Sequence, residues 1–394
     1  MASDMDMRGF VPEPSGRGTI GILISCISTI FICVWTSLHP SIPLPSDIAP
    51  AYSTVPPFIL DKFKLAITML LVPEVMISAA VAEYLEVRWI VEDVNARYPS
   101  CSWTLTDAYF VSMNGYVYDK KALSHTRILA LVREGYIDPI KSDSCAIHDR
   151  SKADTLAKII ACVQISWLMI QCLARAITHL PISTLELGVI GNASMAIIVY
   201  GIQWHKPKDI RNPTFLQQKN GQSTAVVIEA SRSAYSLLGD DCTESTNGER
   251  IVHDSRGGDH HEGGEDRNTD RAMSFWRAVF ERNRLVAYTA LAITCLVFGG
   301  WHCLAWNFTF PSVAELWIWR VCSVACIIPG LVFVILYVVW IDATLDHISV
   351  LMFVLSGISM ISRGTILVLM FIGLRRLPAG VFETVQWTTI LPHF

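Results

Sequence analysis

Residues 19–38 read TIGILISCISTIFICVWTSL, a run of twenty residues that contains no Asp, Glu, Lys or Arg. A helix needs about 20 mostly apolar residues to cross a bilayer core of ~30 Å. Pro40 and Pro43 follow and end the run. The run is too long for the core of a signal peptide, and no small-residue cleavage pattern follows Leu38. We therefore expect a retained membrane span.

The composition of the whole chain extends this expectation. Of its 394 residues, 52% are hydrophobic and 17% are charged, whereas soluble domains carry about 25% charged residues. The net charge of −4 offers no basic surface to a nucleic acid. These values exclude a soluble enzyme, a disordered regulator and a nucleic-acid-binding protein. They predict a multi-pass membrane protein whose main partner is the lipid bilayer.

Seven apolar runs are long enough to span a membrane as helices. They are Thr19–Leu38, Leu65–Val81, Ile159–Ala174, Leu187–Trp204, Leu285–Trp306, Leu316–Ile341 and Ile348–Leu374. Helices are predicted rather than barrel strands, because the runs are long and lack alternation with a period of two. The predicted fold class is an all-α integral membrane bundle of about seven helices with a disordered cytoplasmic insert.

The spans divide the chain into five regions. The insert is expected to be disordered because residues 217–270 are rich in Gly, Ser, Asp and Glu and poor in aromatic residues. In order, the regions are an N-terminal tail (1–18), a first membrane half with four spans and a loop at 83–153 (19–204), a largely disordered loop (205–283), a second membrane half with three spans (284–376) and a C-terminal tail (377–394).

The distribution of basic residues predicts the orientation. The loop at 86–153 holds nine Lys and Arg residues and the loop at 205–283 holds eleven, while Arg8 and Arg17 lie in the N-terminal tail. On the opposite face, the loop at 39–62 holds only Lys62, the turns at 178–183 and 307–313 hold none, and Arg375 and Arg376 follow the last span. Because cytoplasmic loops are enriched in Lys and Arg, we expect a cytoplasmic N-terminus, cytoplasmic long loops and a non-cytoplasmic C-terminus.

Three further local features carry predictions of their own. Trp103–Tyr118 is apolar but short, so an interfacial or re-entrant segment fits it better than a span. Asn307 begins the sequence Asn-Phe-Thr, a glycosylation sequon on the predicted outer side. The pair His260-His261 and the eleven cysteines lack the spacing of a metal site. No cofactor and no metal are predicted.

Charged side chains inside the spans are expected to form structural ion pairs. A charge at the bilayer centre costs about 2.5–3.5 kcal/mol or more, so each one needs a partner or a function. Arg175 and Glu186 flank a short turn at similar distances, which predicts a pair across the hairpin. Arg363 matches the depth of Glu74, which predicts a second pair. Neither pair is a catalytic signature.

Three residues are nevertheless candidates for catalysis: Glu74, Asp107 and His302. Glu74 follows a helix-breaking proline, and a protonated carboxyl in an apolar setting could serve as a general acid. His302 lies near a predicted boundary and could equally be an interfacial anchor. Arg320, across the next short turn from His302, is assigned to the structural ion pairs. Because there is no HExxH, P-loop or GxSxG motif, whether the protein is an enzyme stays open.

Several sequence blocks carry a resemblance to a known family. Among them are Cys33-Val34-Trp35-Thr36, Trp103-Thr104-Leu105-Thr106-Asp107, Ser166-Trp167, Gln171-Cys172, Trp204-His205-Lys206-Pro207, His302-Cys303 and Leu377-Pro378. In order along the chain, these blocks resemble a large fungal family of multi-pass membrane proteins, often encoded near secondary-metabolite genes. The insert does not match. The resemblance implies a role beside such a pathway and transfers no catalytic residue.

Two functions follow as expectations. The first is an accessory protein, a scaffold or exporter in a fungal secondary-metabolite pathway, in an endomembrane or the plasma membrane. Its partners would be a lipophilic small molecule or other pathway enzymes. The second is an intramembrane cyclase or isomerase acting on a lipophilic intermediate, with Glu74 or Asp107 as the acid. A bundle in which the buried charges are paired would favour the first function.

Overall fold

The computed structural model describes eight stretches of the chain: 6–13, 17–43, 57–118, 121–149, 154–210, 212–216, 283–339 and 345–385. The predicted disordered stretch at 217–270, with His260-His261, lies outside the described residues.

Helices form most of the described structure. They are α1 (Thr19–Ser37), α2 (Pro57–Leu71), α3 (Pro73–Arg97), α4 (Leu105–Ser112), α5 (His125–Arg133), α6 (Ser144–Asp149), α7 (Asp154–Ile177), α8 (Thr184–Ile202), α9 (Arg284–His302), α10 (Val313–Val339) and α11 (Leu345–Gly373). Short strands join the loops: β1 (Met7–Arg8), β2 (Tyr116–Tyr118), β3 (Lys121–Ala122), β4 (Thr214–Phe215) and β5 (Leu377–Pro378).

Six helical segments in the described residues are long and apolar enough to cross a membrane. They are Thr19–Ser37, Ile159–Ile177, Thr184–Ile202, Leu285–Ala305, Val313–Ile335 and Val354–Gly373, and they match six of the predicted spans. Their outer faces expose large apolar side chains such as Ile24, Val163 and Ile361, which a bilayer would cover. The predicted fold class, an all-α membrane bundle, is confirmed.

The remaining predicted span, Leu65–Val81, is not one helix. α2 and α3 meet at Val72, and the helix direction changes there by 114°. Pro73 causes the break, because its ring restricts the preceding residue to non-helical backbone angles and it has no N–H to donate. Val72 accordingly leaves the helical region, with φ −140° and ψ 59°.

The two arms of this broken helix return to the same end of the bundle. Lys62, in the first half of α2, lies 2.8 Å from Asp209, which follows α8. Glu83, in α3, lies 2.7 Å from Lys206, which also follows α8. The pair α2–α3 is therefore a re-entrant element whose tip is Val72–Glu74, and the described chain crosses the bundle six times rather than seven.

The segments near both chain termini lie together at one end, which we call the termini end. β1 pairs antiparallel with β5, and the N–H of Arg17 donates to the carbonyl of Phe382 at 3.2 Å. The turn between α7 and α8 lies at the same end, since Arg175 donates to the carbonyl of Gly380 at 2.7 Å. The prediction that the N- and C-termini face opposite sides is wrong for these segments, because the re-entrant element adds no crossing.

The opposite end, which we call the loop end, carries a small folded domain. β2 pairs antiparallel with β3 and parallel with β4, which ties the loop after α3 to the segment after α8. Trp103, Tyr109 and Phe110 are buried in its apolar core with Ile128. Trp103–Tyr118 is thus neither a span nor a re-entrant segment, since it forms α4 and β2 of this domain.

Candidate functional site

The tip of the re-entrant element holds a buried ion pair. Glu74 lies in the first turn of α3, directly after Pro73, and its carboxylate contacts the guanidinium of Arg363 in α11. Both side chains are buried. Arg363 also donates to the carbonyl of Leu71 at 3.4 Å and lies 4.9 Å from the ring centre of Phe298. The predicted contact between Glu74 and Arg363 is therefore present.

The guanidinium of Arg363 keeps unused donors. Its Nε and Nη2 atoms are buried and have no hydrogen-bond partner among the described residues. The N-terminus of α3 adds a positive partial charge at the same place. The tip therefore offers hydrogen-bond donors and positive potential inside the bundle, beside one carboxylate.

The predicted ion pair between Arg175 and Glu186 is wrong. Glu186 contacts Arg17, which comes from the segment before α1, and both partners are largely buried. Glu186 also caps α8, because it accepts from the N–H of Ser183 at 3.0 Å and from its hydroxyl at 2.8 Å. Arg175 and Glu186 lie at similar distances from the turn and therefore at similar depth. They lie at different positions around their helices, however, so their side chains face different neighbours.

Arg175 lies against backbone carbonyl groups instead. Its guanidinium is buried and donates to the carbonyls of Pro181, Gly380, Val381 and Glu383 at 2.7–3.1 Å. Arg175 therefore fixes the segment after β5 to the turn before α8. Its charge is solvated by these dipoles, and within the described stretches no carboxylate contacts it directly.

Asp107 is a structural carboxylate of the loop-end domain. It accepts from the N–H and hydroxyl of Thr104 at 2.8 and 2.7 Å, which caps α4. It also accepts from the hydroxyl of Ser142 at 2.7 Å and the N–H of Asp143 at 3.1 Å. These four donors match the capacity of an ionised carboxylate. The structure therefore does not bring the two candidate acids together, because Asp107 lies in the loop-end domain and Glu74 lies in the bundle.

His302 is buried at the end of α9 and does not anchor the helix at an exposed interface. Its Nδ1 lies 2.8 Å from the carbonyl of Phe298, and its own carbonyl accepts from Trp319 at 3.0 Å. Its ring packs edge-on against Phe298. Asn307, in the turn that follows, is exposed.

Arg320 forms no ion pair among the described residues. It donates to the carbonyl of Trp306 at 3.1 Å, and its guanidinium lies 5.1 Å and 5.2 Å from the ring centres of Trp306 and Trp317. Its assignment to the ion pairs is therefore wrong, because aromatic faces and a carbonyl replace the expected carboxylate.

Sequence reasoning missed a polar cluster at the loop end. Lys206 contacts both carboxylate oxygens of Glu83 at 2.7 Å, and Gln203 donates to the same carboxylate at 2.9 Å. Lys208 donates to the carbonyl of Thr36 at 2.9 Å. In the sequence, this cluster could have been indicated by the block Trp204-His205-Lys206-Pro207, which contains its lysine. No three His, Cys, Asp or Glu side chains in the described stretches gather as a metal would require.

A groove of about 380 Å³ opens at the termini end between α1, α7 and the segment after β5. Its lining includes Arg17, Ser25, Trp167, Gln171, Arg175 and Thr384. Residues Gln164, Gln171 and Arg175 form a stripe on α7, and Gln164 donates to Ser28 and Thr29 of α1 at 3.3 Å. The groove thus lies along a polar seam between two spanning helices.

Comparison with known proteins places the chain in a family. The profile of DUF8562, described as a family of unknown function, matches residues 1–274. The chain belongs to DUF8562. The DUF8562 match takes in α1 to α8, with the re-entrant element, the groove-lining residues of α1 and α7, and the Glu83–Lys206 pair. Arg363 and His302 lie beyond the residues matched by DUF8562. No curated protein and no solved structure matches the chain.

Proposed function

We propose that this protein is a non-catalytic accessory protein that exports a lipophilic product of a fungal secondary-metabolite pathway. The observation that carries the proposal is the re-entrant element, broken at Val72, with the Glu74–Arg363 pair at its tip. The pathway setting, in an endomembrane or the plasma membrane, rests on the family resemblance. The transported molecule and other pathway enzymes are the proposed partners.

The buried acids support this role over that of a cyclase or isomerase. An acid catalyst must hold a proton close to its substrate. Glu74 is instead the counter-ion of Arg363, and the carboxylate of Asp107 accepts four hydrogen bonds that cap a helix and hold a loop. Neither carboxyl group is arranged to donate a proton to an alkene or an epoxide.

The broken helix supports export over a purely scaffolding role. Transporters commonly bind their substrates where helices are interrupted at membrane depth, because the helix ends and the freed backbone groups supply polar contacts. Here the interruption lies beside a guanidinium with two buried donors that have no partner among the described residues. A scaffold would need no such break inside the bundle.

Gene deletion in the producing host, followed by metabolite profiling of cells and medium, tests the proposal. We expect the finished product to be made, to accumulate in cells and to fall in the medium. Arg363→Lys, which keeps the charge and removes guanidinium donors, should give the same result at normal protein abundance. Arg320→Lys is the matched control and should restore export. Accumulation of a single unrearranged precursor would instead identify an enzyme.

A further inference from the structure

The groove at the termini end combines buried cations with a lipid-facing wall. Arg17 and Arg175 lie at its outer end, and Trp167, about half exposed, forms part of the wall on α7. Gln171 lies one helical turn deeper than Arg175, and Ser25 of α1 also lines the groove. The lining of the groove is therefore charged near the end of the bundle, and polar but uncharged nearer its middle.

The buried charges around the groove carry a net positive charge. Arg17 and Arg175 are opposed by one buried carboxylate, that of Glu186, which contacts Arg17. The Nη1 atom of Arg17 is buried and has no partner among the described residues. Two further carboxyl-bearing residues, Glu13 beside Gly21 and Glu383, are exposed, so solvent and salt screen their charges.

The deeper part of the groove offers neutral hydrogen-bonding groups. Within the described residues, the side-chain amide of Gln171 and the hydroxyl of Ser25 form no hydrogen bond, although both residues line the groove. Gln164, two turns away on the same stripe, is by contrast bonded to α1. Gln171 is thus free to bind a ligand oxygen.

We infer that this groove binds an amphipathic anion. Its anionic head would lie at Arg17 and Arg175, an ester, carbonyl or hydroxyl oxygen would lie at Gln171 and Ser25, and its apolar tail would pass Trp167 into the bilayer. A phospholipid and a free lipophilic carboxylic acid share this chemistry. The inference rests on the groove alone and does not require the export function.

Native mass spectrometry of the full-length protein in detergent tests the site. The probes are dioctanoyl phosphatidylglycerol, dodecanoate and, as the neutral comparison, dioctanoyl phosphatidylcholine. Gln171→Leu removes the free amide without breaking an existing bond, and Gln164→Leu on the same helix is its control. Arg17→Gln combined with Glu186→Gln removes the cation without stranding the carboxylate, and Arg320→Gln is the control for that change.

We expect at least one anionic probe to bind more than fivefold more tightly than the neutral lipid. Gln171→Leu should weaken that probe about threefold or more, and the double variant about tenfold or more, since charge-assisted hydrogen bonds are the stronger ones. Both controls should bind like the wild type. A preference for phosphatidylglycerol would identify a bilayer lipid, and one for dodecanoate a free acid. Equal binding of anionic and neutral probes, or equal binding by all variants, would overturn the inference.

Discussion

Lys206 and Glu83 join the end of α8 to α3, with the lysine ammonium 2.7 Å from each carboxylate oxygen. Both residues are buried, and Gln203 and Ser112 donate to the same carboxylate at 2.9 and 3.4 Å. A buried pair of this kind is costly to break, because the remaining charge loses its compensation. The pair therefore holds the re-entrant element where it leaves the bundle.

Lys206→Met should destabilise the protein by about 3 kcal/mol or more, because Glu83 is left buried without its cation. Combining Lys206→Met with Glu83→Leu should recover most of the loss. Thermal unfolding in detergent measures both. Lys64→Met, which removes an exposed partner of Asp61, should change stability by less than about 0.5 kcal/mol. Equal melting of the Lys206 and Lys64 variants would contradict the structural role of the pair.

Glu74→Ala should likewise destabilise the protein by about 3 kcal/mol, since it strands the buried guanidinium of Arg363. Adding Arg363→Met should restore stability towards that of the wild type, because an apolar side chain then replaces the unpaired cation. Unfolding midpoints of the single and double variants in detergent provide the comparison. A double variant less stable than Glu74→Ala would mean that the pair is not coupled.

Epitope tags at the two chain ends should be on the same side of the membrane. The two long loops contain nine and eleven basic residues, whereas only Arg8 and Arg17 precede α1 and only Arg375 and Arg376 follow α11, so the loop end is expected to be cytoplasmic and both termini non-cytoplasmic. Antibody access in intact and permeabilised cells, with a third tag in the 217–270 insert, reports all three positions. Detection of the two terminal tags on opposite sides of the membrane would contradict six crossings and indicate a seventh.

Tyr109→Phe should leave stability at pH 7 unchanged or raise it by up to about 1 kcal/mol, because the Tyr109 hydroxyl is buried without a partner among the described residues. Burial, and secondarily the charge of Glu83, raises the pKa of the Tyr109 phenol above its ordinary value of about 10. The unfolded chain therefore loses this proton first, and stability falls as the pH rises above about 10. Urea unfolding between pH 8 and about 11 should give a flatter profile for Tyr109→Phe than for the wild type.

Asp107→Asn should destabilise the loop-end domain by about 1–3 kcal/mol, because an amide cannot accept all four hydrogen bonds. Asp143→Asn is the matched control, since Asp143 contributes its backbone N–H to the cluster. Limited proteolysis of the loop-end domain measures the change. Loss of product formation at normal protein abundance and normal protease resistance would instead indicate a chemical role for Asp107.

The local sequence predicted the membrane-spanning segments well, but it predicted only some of the contacts between charged side chains. Thr19–Leu38 was recognisable because a charged residue inside a bilayer is costly and the run contains none. The contact between Glu74 and Arg363 was predictable because the two charges are the deepest of opposite sign. Arg17 could not be identified as the partner of Glu186, because its contact depends on how the segment before α1 packs over the bundle.

The sequence by itself determined which segments are apolar enough to enter the membrane and that Pro73 interrupts a helix, because both depend on neighbouring residues along the chain. Only the tertiary structure decided that α2 and α3 turn back instead of crossing, since that direction is set by contacts of Lys62 with Asp209 and of Glu83 with Lys206. Residues so far apart in the chain meet only when the helices pack, and their meeting places β1 and β5 at one end of the bundle.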